Sequence, residues 1–74
     1  MWNADQAGEA VRRLIQSHGI NSAIQLLPHL SELVDPPTDS ALQAVEQVVL
    51  NEARRAGDRD ALAVLAARRG VLPS

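Results

Sequence analysis

The sequence predicts an all-α domain: a small four-helix bundle, or an irregular four-to-five-helix domain, with a kinked second helix. Three observations carry that expectation. Apolar residues recur with helical spacing nearly throughout and nowhere alternate strictly, as a half-buried strand would require. Capping residues and glycines bracket each periodic stretch. The connections are short, which implies antiparallel neighbours.

The first helix is expected over Ala4–His18. Asn3 is placed as its N-cap, with Gln6 three residues on completing a capping box. Ala7, Ala10, Val11, Leu14 and Ile15 form its inward stripe. Gly19 follows as a residue able to take the left-handed C′ conformation without a Cβ penalty. The second helix is expected to begin near Ser22, where Ser22 and Gln25 repeat the capping pattern. Its stripe runs through Ala23, Leu26, Leu27, Leu30, Leu33 and Val34. Pro28 lacks an N–H for the carbonyl of Ile24 and disfavours helical geometry at Leu27. Because the stripe continues past it, a kink is expected there rather than a stop.

Asp35-Pro36-Pro37 ends that helix, and Thr38, Asp39 and Ser40 are all competent N-caps for the next. The third helix should reach about Ala56, with Leu42, Val45, Val49 and Ala53 inward and Gly57 at C′. Asp58 then caps a fourth helix to about Arg69, with Leu62, Leu65 and Ala66 inward. Gly70 is expected to close it and Val71 to pack back as in a Schellman ending.

Seventy-four residues make one domain, standing alone or as the N-terminal module of a longer protein. At this size roughly 4,400 Å² of some 11,500 Å² stays exposed, so about 60% of the surface is buried on folding. Such a core is marginal without a staple or a partner. There is no Cys, which excludes disulfides and thiolate metal sites. A net charge of −2 argues against a generic polyanion binder. All seven basic residues are Arg, which with the abundant Ala suggests a GC-rich, bacterial source. No apolar run approaches the ~20 residues of a membrane span, and no secretory signal is visible, so a cytoplasmic setting is expected.

The chain carries more aliphatic surface than one small core receives. Ile24–Val34, Val45–Leu50 and Ala61–Ala67 are apolar around more than half their circumference. Val48, Val49 and Leu50 are consecutive and span ~200° of a helix. The overflow recurs on three helices, which points to a contiguous patch that meets a protein surface. The candidate partner-binding residues are Leu26, Leu33, Val48, Leu50 and Val64, joined by Trp2. Trp2 is the only aromatic residue and either anchors a contact or staples the first helix. The expected function is therefore a non-catalytic interaction module that docks, recruits or dimerises. Its partner is another protein or a second copy, forming a homodimer. No nucleic acid, membrane, metal or cofactor is expected.

Three further features bear on alternatives. Arg12-Arg13, Arg54-Arg55 and Arg68-Arg69 are paired, and the latter two lie in last turns, where cations offset the helix dipole and cover carbonyls. The other reading of these pairs is contact with an acidic partner. His18 and His29 lack companions for a metal set or a nucleophile. Asp39-Ser40-Ala41-Leu42 resembles the attachment motif of acyl and peptidyl carrier proteins, in which a Ser between Asp and an apolar residue starts a long helix. That resemblance implies a phosphopantetheine arm on Ser40. The chain departs from the pattern at Ala41, where Leu or Met is usual, in lacking a Gly before the Asp, and in its Pro36-Pro37 approach. Finally, Leu62–Ser74 looks like the first helix and turn of a helix-turn-helix unit, which implies a partial DNA-binding domain.

Overall fold

The polypeptide begins by capping itself. In the computed structural model, which describes residues 2–70 and side chains as far as residue 68, helix α1 spans Ala4–His18. The Asn3 side chain accepts from the Gln6 N–H at 2.8 Å, and the Gln6 side chain accepts from the Asn3 N–H at 3.1 Å. Two orphan donors of the helix start are thereby satisfied reciprocally. The buried residues of α1 are Ala7, Gly8 and Val11, with Leu14 and Ile15 half-buried against the core.

A single residue, Gly19, joins α1 to α2 (Ile20–Leu26). Its φ of 96° is positive, as expected, but ψ is 165°, so it is not the left-handed helical C′ residue anticipated. This extended region is open essentially to Gly alone, and it reverses the chain within one residue. The expected start at Ser22 is overturned for the same reason. The helix begins at Ile20 directly after Gly19, without any side-chain cap, and Ser22 lies inside its first turn.

The kink at Pro28 is present. A 3₁₀ turn over Leu27–His29 separates α2 from α3 (Leu30–Leu33). With no N–H on Pro28, the Ile24 carbonyl takes the Leu27 N–H three residues on, which tightens the backbone locally. The apolar stripe survives the change, with Ala23, Leu27, Leu30 and Val34 all buried.

Helix α4 spans Asp39–Ala56 and is capped by Thr38, whose side chain accepts from the Ala41 N–H at 3.1 Å. It ends in a Schellman motif. Gly57, at φ 65°, donates to the Arg54 carbonyl, and Asp58 donates to that of Ala53. Asp58 also caps α5 (Arg59–Gly70), its side chain accepting from the Ala61 N–H at 3.0 Å. The expected closure by Gly70 is corrected, since α5 includes that residue; Val71 lies outside the described residues.

Helix α4 is the hub. It packs on α1, α2 and α5, while α2 also touches α1 and α5. The buried side chains of α4 are Ala41, Val45, Val49 and Ala53, so Ala41 takes the place expected of Leu42, which is half-buried. On α5 the buried pair is Ala61 and Leu65. Ala66, expected inward, is exposed. The stripe is rotated by one position toward the residues that meet α4, which the apolar composition of α5 left open. Among the described residues the sole strand-like pairing is an isolated parallel bridge between Trp2 and Val34.

Candidate functional site

An open groove of about 590 Å³ lies beside the N-terminus. One wall is the outer face of α1, from Gln6 through Ala10, Arg13 and Leu14 to Ser17. These positions share a face because they are spaced three and four apart. The small side chains of Ala10 and Ser17 leave the depression. Leu26, from the last turn of α2, and Trp2 supply the other apolar lining.

Trp2 is held by two backbone hydrogen bonds. Its N–H donates to the Leu33 carbonyl and its carbonyl accepts from the Asp35 N–H, both at 2.9 Å. The chain start is thus clamped to the corner after α3, and Val34 beneath the clamp is fully buried. Trp2 as a whole remains 36% exposed and lines the groove. A large ring held on a fixed backbone loses little freedom when something packs on it, which is the property of a binding anchor.

Gln6, Glu9, Arg13, Ser17 and His18 supply the polar lining of this groove. Glu9 lies 3.4 Å from Arg12 and 3.9 Å from Arg13, all three well exposed. The Ser17 hydroxyl bonds the Arg13 carbonyl at 2.9 Å and stands 2.9 Å from Nδ1 of His18. His29 is on the 3₁₀ turn, 3.5 Å from Glu32. Among the described residues no polar side chain is buried, and no His, Asp and Glu side chains gather as a set of metal ligands.

The residues singled out in the sequence do not form one patch. Trp2 and Leu26 meet in the groove, and Leu33 adjoins through its carbonyl. Leu26 is nevertheless half-buried and packs against the core, as does Leu50. Val48 floors a different crevice, between α1 and α4. Val64 stands 46% exposed on α5, flanked by exposed Ala63 and Ala67. Ala10, Arg13 and Leu14 belong to the groove but were not singled out. Helical periodicity placed Ala10 and Leu14 on the inward stripe and left Arg13 unmarked, because the groove exists only once Trp2 is clamped in place.

Ser40 is exposed in the first turn of α4, and the capping of that helix is done by Thr38. Helix α5 is formed, while the turn expected after it for a helix-turn-helix lies beyond the described residues. No helix among the described residues is long and apolar enough to cross a membrane. The chain matches no known family model, no curated protein and no solved structure at a significant level.

Proposed function

We propose that the domain is a non-catalytic docking module that receives a helix of another protein, or of a second copy, in the groove between Trp2, α1 and Leu26. The observation that carries this reading is the clamped, exposed Trp2 beside small-residue and aliphatic positions of α1. Helix-in-groove recognition uses this combination: an apolar trough for anchors and a polar rim for orientation. The partly exposed aliphatics of α5 offer a second, shallower contact.

Trp2 makes the test direct, because it is the only fluorophore among Trp, Tyr and Phe. Occupation of the groove should shift its emission to shorter wavelength in step with association measured by sedimentation. Trp2→Ala should weaken association by about 2 kcal/mol or more, the loss typical of an aromatic anchor. Helicity by circular dichroism should stay unchanged. A protein that sediments as a monomer at every concentration, with Trp2 emission unmoved by added amphipathic helical peptides, would sink the proposal.

One observation keeps a carrier-like second reading in view. Thr38 caps α4, so capping does not account for Ser40, whose side chain is exposed. Intact mass after treatment with a phosphopantetheinyl transferase and coenzyme A decides it. An unmodified Ser40 removes that reading.

A further inference from the structure

A second crevice runs along the seam of α1 and α4, and its chemistry differs from that of the Trp2 groove. Arg12 of α1 and Arg54 and Arg55 of α4 surround a concavity of about 410 Å³, with Val48, Asn51 and Glu52. Val48 and Arg12 also line the adjoining hollow of about 310 Å³, which continues past Gly8 to Ala4, Asp5 and Ala44. The crevice is basic at one end and acidic at the other. In a chain of net charge −2, three arginines from two helices meeting in one crevice concentrate the minority charge.

Arg12 lies in the interior of α1, and two of the terminal carbonyls of α4 do not need Arg54 or Arg55 as partners. The Ala53 and Arg54 carbonyls at the end of α4 are already bonded by the N–H groups of Asp58 and Gly57. The internal ion pairs do not use the guanidinium groups up either. Arg12 meets Glu9 through Nη1 at 3.4 Å, and Arg55 meets Glu52 through Nη1 at 3.4 Å. Each guanidinium has five N–H donors, so most of each fork remains open. Arg54 has no ion pair among the described residues. Glu52 is only 15% exposed, so the crevice already seats one carboxylate in contact with an arginine.

We infer that this crevice binds an acidic peptide segment of a partner protein, with carboxylates on Arg12, Arg54 and Arg55 and an aliphatic side chain over Val48. Planar arginine forks recognise carboxylates by paired hydrogen bonds, and the apolar floor supplies an anchor between them. Asp5 and Glu9 confine the basic stretch to the end held by Arg12, Arg54 and Arg55, which is too short to track a phosphate backbone but spans one or two carboxylates beside the apolar Val48, and this favours a peptide over a nucleic acid. The inference is independent of the Trp2 groove, and its readout does not involve Trp2.

The experiment is a nuclear magnetic resonance titration of the full chain with a synthetic peptide of Glu and Leu. A Lys–Leu peptide of equal length and a single-stranded oligonucleotide serve as comparisons. The acidic peptide should shift the amides of Val48, Asn51 and Arg54, bind more weakly as salt rises, and bind several-fold more weakly to Arg54→Glu. Arg12→Gln, on the other helix, should weaken it as well, and it serves alone if Arg54→Glu unfolds. No shift at these amides, indifference to both variants, or equal or tighter binding of the oligonucleotide or the basic peptide would overturn the inference.

Discussion

Gly8 and Gly57 show how one substitution takes opposite signs at two positions. Gly8 is buried in the middle of α1, and a Cβ there would meet Cγ2 of Val48 at 3.4 Å, ordinary van der Waals contact. Gly in a helix interior costs roughly 0.5–1 kcal/mol relative to Ala. Gly8→Ala should therefore stabilise the domain by about that much, raising the midpoint of thermal unfolding by a few degrees. At Gly57 a Cβ would meet nothing, yet φ is +65°. Gly57→Ala should destabilise by about 1–2 kcal/mol, because the left-handed conformation brings any Cβ against the following carbonyl. Thermal melts of the pair check both signs, and a destabilised Gly8→Ala would mean that α1 and α4 cannot yield at Val48.

Among elements, α4 and α5 divide the aliphatic surplus between them. Leu50 packs against the core from α4, whereas Val64 stands free on α5. Leu50→Glu should cost about 1–3 kcal/mol, because a carboxylate displaces an apolar contact. Val64→Glu should stay within about 0.5 kcal/mol. Chemical denaturation of the two variants checks the contrast, and equal losses would place Val64 in the core. The contrast also shows what was legible in the sequence. Val49 and Leu50 are adjacent and both apolar; the stripe through Val45, Val49 and Ala53 ranked Val49 as the inner one and left Leu50 to an exposed face. The packed neighbours of α4 make Val49 fully buried and Leu50 its half-buried flank. The capping box at Asn3, the cap at Asp58 and the Pro28 kink were readable because each depends on residues within one turn, whereas the structure chose Thr38 among three competent caps for α4.

The whole molecule measures 34 × 31 × 16 Å between Cα extremes. Two helices packed face to face already span about 13–15 Å on that measure, from an axial separation of 8–10 Å and a Cα radius of ~2.3 Å on each side. The domain is thus about two helices deep, and its core is one thin layer between them. The largest fully buried side chains are valines at positions 11, 34, 45 and 49. Total stability for 74 residues should be of the order of 4–11 kcal/mol. Leu30, 2% exposed in that layer, should cost about 2–5 kcal/mol as Leu30→Ala, a large part of the whole. Loss of the cooperative denaturation baseline, or a steep fall in its midpoint, is the expected readout. A thin core with broad faces also explains why aliphatic residues remain at grooves on both edges of α1.

The sequence by itself determined the all-α class, the helix limits set by Asn3, Gly57 and Asp58, and the break at Pro28. These rest on hydrogen bonds closed within a few residues, so local chemistry decides them. Only the tertiary structure decided that Ala41 joins Val45, Val49 and Ala53 on the inner face of α4, and that Ala61 turns inward on α5. It also decided that α2 starts at Ile20, directly after Gly19, that Trp2 is clamped to the corner at Val34, and that Arg12 faces Arg54 and Arg55 across a seam. Each of those joins residues far apart in the chain, or selects between faces of nearly equal hydrophobicity. Such choices belong to the packing of whole helices, which periodicity along one helix does not encode.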